Sequence, residues 1–309
     1  MFFKKRSLNE ISHVYKLLNK KFKLNKNLQL YLKNKKFGDL ERIKMSYDVQ
    51  SGSYLRYSKL ISKKKKDQVY YPLIEAIKKE FKNFNNILDF GCGEMDTSLY
   101  IFKHLNKKKF RYFANDISLN RLIVGQNFLR NKLTKSNFKK FELFCNTSLD
   151  LPFKNNSIDV IITVHALEPN NKNKNKLIEE FLRVSKKGVI LMEPHYESSN
   201  LNQKKRMKKF NYVRGLKKFF NKKEYNFKIL KKKYHMKEIN KSSIFIIKKK
   251  KLSKNNILEY VEPKSLDKLI NLNGFLYCKK SYRLFPVLKN IPLFSEDSQY
   301  FIPSLKKIN

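Results

Sequence analysis

The chain has 309 residues, with 69 lysines and arginines against 26 aspartates and glutamates, for a formal net charge of +43. That length allows a full core with appendages, and no apolar run approaches the roughly 18 residues of a membrane span. Met1-Phe-Phe-Lys-Lys-Arg lacks the apolar centre of a signal peptide, and three scattered cysteines, Cys92, Cys145 and Cys278, give no disulfide framework, so a cytoplasmic protein is expected.

Residues 1–75 are helical in pattern and lysine-rich, and they include Tyr47, Tyr54 and Tyr57. These rings serve either to line a lid over a ligand or to anchor the helices to the core. Ile87-Leu-Asp-Phe-Gly-Cys-Gly-Glu94 then reads as an apolar strand that breaks, after Asp89, into Gly91-x-Gly93. Glycine at these positions permits a sharp strand-to-helix turn and a close approach of backbone to a ligand. The third glycine of a dinucleotide fingerprint is missing, since Asp96 stands in its place. Arg111 to Ile117 forms the second strand. Its Asp116, roughly 20 residues past the loop, is placed to accept ribose hydroxyls or, alternatively, to cap the helix that starts near Ser118.

Two later strands end at His165-Ala-Leu-Glu168-Pro-Asn170 and at Glu193-Pro-His195-Tyr196-Glu197. Open α/β sheets bind ligands outside the carboxyl ends of their parallel strands, so His165, Glu168, Glu193 and His195 are the candidate catalytic residues. A histidine near neutral pH suits a general base, with a carboxylate to orient it or to bind substrate. Tyr54, Tyr196 and Arg214 are candidate substrate contacts. Arg214, beside Gly215, offers a fork for an anionic group, or else is a surface arginine at a helix start. Phe227 to about Tyr234 and Ser243 to Lys248 read as the last strands, and the tail from Ile257 as a separate unit.

Residues from about 85 to 193 resemble the class I S-adenosylmethionine-dependent methyltransferases. Asp89-Phe-Gly-Cys-Gly-Glu94 is similar to their first motif and Asn115-Asp-Ile-Ser118 to their second. Leu151-Pro-Phe through Asp159 to His165 resembles the run into strand four, and Phe181 through Gly188 to Met192 the helix, turn and strand five. The resemblance implies a Rossmann-like, doubly wound α/β sheet, mainly parallel with an antiparallel last strand. It divides the chain into an N-terminal helical lid (1–75), a methyltransferase domain (76–252) and a small β-rich module (253–309). It also implies S-adenosylmethionine held by Asp89, Gly91, Cys92, Gly93, Asp116 and Ile117, with Thr147, Ser148 and Leu149 near the adenine and His165 near the methionine part. Thr147 stands where the family usually has an acidic residue. The tail resembles a zinc-ribbon activator of methyltransferases, but its four ligand positions hold Glu262, Ser265, Cys278 and Ser281. One cysteine cannot make a tetrahedral sulfur site, so no metal is expected.

The expected activity is methyl transfer by direct displacement to the hydroxyl of a small molecule or of a glycan or nucleotide-sugar precursor, as in surface-polysaccharide pathways. The charge favours an anionic acceptor. Lysine outnumbers arginine about sixfold, whereas nucleic-acid recognition favours the arginine fork, so an RNA methyltransferase ranks second. A catalytically degenerate scaffold of the same fold ranks third, opposed by Asp89, Gly91, Gly93 and Asp116.

Overall fold

The structure is a computed structural model and describes residues 39–106, 109–147, 149–231, 241–249 and 256–303. Two short helices, α1 (Asp39–Val49) and α2 (Ser53–Lys59), lead into α3 (Lys63–Glu80). Ser62 opens α3 by accepting the Lys65 N–H, which satisfies one of the amide donors that every helix start leaves unmet. Val69, Leu73, Ile74, Ala76 and Ile77 are buried, a spacing that gathers them on one helical face. α3 runs unbroken past residue 75.

The large sheet is built from β1 (Asn86–Phe90), α4 (Asp96–Leu105), β2 (Arg111–Asp116), α5 (Leu119–Lys132), the single turn α6 (Lys135–Phe138), β3 (Phe141–Cys145), β4 (Ile158–Val164), α7 (Lys174–Val184), β5 (Ser185–Pro194), α8 (Leu201–Lys209), α9 (Leu216–Lys222), β6 (Phe227–Lys231) and β7 (Ser242–Lys248). Its strand order is β3-β2-β1-β4-β5-β7-β6. The first five strands are parallel, and β7 runs antiparallel between β5 and β6. This is the Rossmann-like doubly wound sheet that the methyltransferase resemblance implies. The expected continuation of β6 to Tyr234 falls outside the described residues.

Side chains alternate across the strands, so one strand feeds two cores. Ile87, Tyr112 and Ala114 pack with the helices carrying Leu73, Ile77 and Phe102, whereas Leu88 and Phe113 face Phe153, Phe181 and Phe220. The Ile, Leu and Phe side chains among them each stabilise the fold by about 1.5–3 kcal/mol on full burial.

A second, antiparallel sheet comprises β8 (Ile270–Leu272), β9 (Phe275–Cys278), β10 (Arg283–Leu288), β11 (Ile291–Pro292) and β12 (Tyr300–Phe301). It docks on the outer edge of β3. The Phe294 N–H donates to the Cys145 carbonyl at 2.8 Å, and the Val261 N–H to that of Pro152 at 3.0 Å. Between them, the Tyr260 ring lies 5.3 Å from Phe153, 5.4 Å from Phe294 and 5.7 Å from Phe144.

The first ribbon-type position of this module, Glu262, is put to another use. Glu262 is buried. It pairs with Arg283 at 2.7 Å and accepts the backbone N–H groups of Lys264 and Ser265. Burial alone would raise its pKa, but the Ser265 bonds and the Arg283 guanidinium outweigh it and hold the pKa below the ordinary value. Cys278 is buried in the module. No group of three potential metal ligands gathers among the described residues, and no described helix is long and apolar enough to cross a membrane.

Candidate active site

A cavity of about 420 Å³ opens at the carboxyl ends of β1, β2, β3 and β4, within the roughly 300–1,000 Å³ range of small-molecule sites. It lies where the strand order reverses between β1 and β4, the usual position for a ligand in an open α/β sheet.

The glycine loop forms one wall. Gly91 (φ 73°) and Gly93 (φ 60°) adopt left-handed backbone, which glycine enters without steric cost. The amides of Gly91 and Cys92 both donate to the Asn115 carbonyl at 2.9 Å, pinning the loop to β2. The need for glycine comes from protein neighbours as well as from the turn. A Cβ at position 91 would stand 2.4 Å from the Ala166 Cβ, and one at 93 would stand 2.2 Å from the Arg121 guanidinium. Asp89 is buried beneath the loop and accepts the Ser98 hydroxyl at 2.6 Å and the Tyr112 hydroxyl at 3.0 Å. Burial pushes its pKa up to about 6, against the pull of those two bonds. Burial likewise raises the Cys92 thiol, so Cys92 is a neutral wall group.

Asp116 ends β2 with both carboxylate oxygens oriented. Oδ2 accepts the Gly93 N–H and Oδ1 the Ser118 N–H, each at 2.9 Å. Capping of α5 falls instead to the Ser118 side chain, which accepts the Arg121 N–H. Ile117, Thr147 and Leu149 line the cavity next to Leu40 and Ile43 of α1. Ser148 lies outside the described residues.

The N-terminal helices are fastened over this wall by a group that sequence reasoning missed. Arg121 is buried with its guanidinium 4.8 Å from the Tyr47 ring and 4.7 Å from the Tyr54 ring. It also stands 3.6 Å from Asp116 and 3.8 Å from Glu94. Glu94 in turn accepts the Gly52 and Leu55 amides at 2.9 and 2.8 Å, so it binds the first turn of α2. Tyr47, Tyr54 and Tyr57 all line the cavity. Tyr47 and Tyr54 therefore both face the cavity and hold the helices to the core.

At the end of β4, His165 takes a left-handed backbone (φ 59°), which is strained for a residue with a Cβ. The turn is held from below. Glu193 Oε1 accepts the Thr163 hydroxyl at 2.7 Å and the amides of Ala166 and Leu167 at 3.0 Å, while Oε2 is buried with no hydrogen-bond partner. Burial pushes the Glu193 pKa up to about 7. The His165 imidazole lines the cavity, its Nδ1 2.9 Å from Glu168 Oε2 and its Nε2 3.3 Å from the Ser242 hydroxyl.

The remaining expected residues are not brought to this cavity. Glu193 supports the loop from behind, and His195 is buried with its Nδ1 2.8 Å from Ser243 and its ring against Phe245. Tyr196 stacks with Lys204, and Arg214 is bound to Asn211. Besides Arg121, Arg206 lines the cavity, lying 5.0 Å from the Tyr212 ring. Tyr212 lines it too, its pKa pushed up to about 12 by burial.

A family model described as the ubiE/COQ5 methyltransferase family matches residues 38–245. Among solved structures, the chain is similar to magnesium protoporphyrin IX methyltransferase from Synechocystis PCC 6803, determined with bound SAH. That likeness has a TM-score of 0.51 at 13% identity, over 69% of this chain and 100% of the other. A SAM-dependent methyltransferase from Aquifex aeolicus matches with a TM-score of 0.42 at 17% identity, covering 62% of this chain and 96% of its own. The methyltransferase domain of bacterial CtHen1-CN gives 0.45 at 21% identity, with 59% and 98% covered.

Proposed function

The chain belongs to the ubiE/COQ5 methyltransferase family, is an S-adenosylmethionine-dependent enzyme, and, we propose, transfers methyl to the hydroxyl of a small molecule, with nucleotide sugars and other glycan precursors as the first class to test. The observation that carries the choice of a hydroxyl is the His165–Glu168 pair in the wall of the cavity that also holds the glycine loop and Asp116.

The residues present fit the cofactor. Each Asp116 oxygen accepts one backbone N–H and has a second lone pair for a ribose hydroxyl. Asn115 Oδ1 is buried in the cavity wall with no hydrogen-bond partner, an unmet acceptor of the kind that a bound donor satisfies. Leu40, Ile43, Ile117 and Leu149 provide apolar surface for a base. When bound, S-adenosylmethionine supplies a sulfonium methyl open to in-line displacement, so much of the protein's contribution is positioning.

In this reading His165 takes the proton of the acceptor hydroxyl, Glu168 orients the imidazole, and Glu193 shapes the loop that carries it. Tyr54 and Arg206 face the acceptor, with Arg206 in the role the sequence assigned to Arg214. The methyltransferase domain extends to about residue 252, α3 runs unbroken across the boundary expected at residue 75, and the segment 253–309 is a cover in which Glu262, at a ribbon-type ligand position, pairs with Arg283.

Isothermal titration with S-adenosylmethionine is the first test, and Asp116→Ala should abolish the binding. Methyl-labelled cofactor is then offered to a panel of nucleotide sugars and hydroxylated metabolites, with His165→Ala in parallel. Full turnover by His165→Ala removes it as base. No cofactor binding by folded wild type overturns the enzyme reading, and labelling of RNA but not the panel overturns the substrate class.

A further inference from the structure

We propose that Ser242 is a proton relay for His165: its hydroxyl donates to the Nε2 lone pair that the Glu168 contact leaves on the ring, and it passes on the acceptor's proton. The inference rests on the reading of His165 as base. Two separate pieces of chain meet here: His165 and Glu168 lie three residues apart in the turn after β4, and Ser242 opens β7, opposite Pro194 in the antiparallel ladder. Ser242 is buried and lines the cavity together with His165 and Glu168.

The order of donors follows from elementary chemistry. A carboxylate can only accept, so the proton in the 2.9 Å contact between His165 and Glu168 belongs to Nδ1. Nε2 of the neutral ring is then an acceptor, and the hydroxyl 3.3 Å away donates to it. Ser242 Oγ keeps lone pairs that can accept from a second hydroxyl in the cavity. During transfer the acceptor oxygen bonds to the methyl carbon and releases its proton to Ser242 Oγ. The Ser242 proton passes to Nε2, and the electron pair of the broken sulfur–carbon bond stays on sulfur. The imidazolium, next to Glu168, later returns its proton to solvent.

Successive residues of a strand face opposite sides, and Ser243 is bound to the other histidine, with its Oγ 2.8 Å from His195 Nδ1. The two neighbouring serines thus serve two histidines, and of these His165 lines the cavity. Ser243 therefore provides an internal control.

The test is nitrogen-15 NMR of the full chain labelled at histidine, at about pH 8, where an imidazole of ordinary pKa is neutral. His165→Gln assigns the signals. Wild type should show a protonated Nδ1 and a bare Nε2 on His165. Ser242→Ala should move the Nε2 resonance and spare His195, Ser243→Ala should do the reverse, and Ser242→Thr should restore the wild-type position. A proton found on Nε2, or a His165 signal indifferent to Ser242→Ala, overturns the proposal. No acceptor is needed, so this result is independent of the acceptor screen, and a failure of either leaves the other interpretable. In the acceptor assay Ser242→Ala should lower kcat roughly 10- to 100-fold with the KM for cofactor unchanged, and an unchanged kcat refutes the relay.

Discussion

Glu193→Gln separates burial of a charge from the hydrogen bonds that the same side chain makes. Glu193 is fully buried, with three donors on Oε1 and no partner on Oε2, and its pKa stands at about 7, chiefly through burial. An unfolded glutamate titrates near 4.3, and a tenfold change in proton affinity is worth about 1.36 kcal/mol. The raised folded pKa means that the native state binds more protons between those two values, so its stability contribution is complete below the unfolded pKa and is lost as pH rises through 7. Over the whole window that loss amounts to about 3–4 kcal/mol. Glutamine keeps the oxygen that receives the three donors but carries no titrating proton. Urea unfolding of both proteins from pH 4.5 to 8 should therefore show the variant gaining on wild type by roughly 3 kcal/mol. Asp89, also raised by burial, to about 6, is present in both proteins and cancels in the difference. Parallel stability curves would refute the assignment of a buried, ionising Glu193.

Gly91→Ala forces a Cβ to within 2.4 Å of Ala166 at a left-handed φ. Urea unfolding should show a loss of about 2–4 kcal/mol, and titration should show loss of cofactor binding. Arg121→Lys keeps the charge but gives up the planar stacking with Tyr47 and Tyr54. Cofactor affinity should fall about tenfold, with faster proteolysis in α1 and α2, and an unchanged affinity would free the tyrosines of that role. Phe294→Ala empties a buried aromatic position between Phe144, Tyr260 and Phe285, and urea unfolding should register about 3–5 kcal/mol.

The glycine loop and Asp116 were legible because their constraints are local: a strand end, two left-handed glycines and an acid at the close of the next strand all lie within about 30 residues. His165 and Glu168 were legible as candidates for the same reason, three residues apart in the turn after β4, but the sequence left His195 and Glu193 beside them as equal alternatives. Ser242 was not legible, because its place depends on the register of an antiparallel pair formed across the sheet. Arg214 stood out in the sequence through its neighbour Gly215, although Gly215 serves as the left-handed residue before α9, and Arg206 carried no such local mark. A better signal lay in the composition. In a chain that uses lysine about six times as often as arginine, several arginines sit in contacts that need a planar fork. Arg121 lies between two tyrosines, Arg183 binds Glu180 and the carbonyls of Leu151 and Phe153, and Arg283 binds Glu262.

The docking of the second sheet on β3 also sets an order of events during synthesis. The Cys145 carbonyl finds its Phe294 partner 149 residues later, so the strands of the large sheet leave the ribosome well before their cover exists. At about 5–20 residues per second, the edge of β3 and the rings of Phe144 and Phe153 wait on the order of ten seconds or more. An exposed strand edge is a template for another chain, so nascent chains stalled before residue 291 carry the aggregation hazard that the finished protein has removed. Slow translation of the tail prolongs that interval.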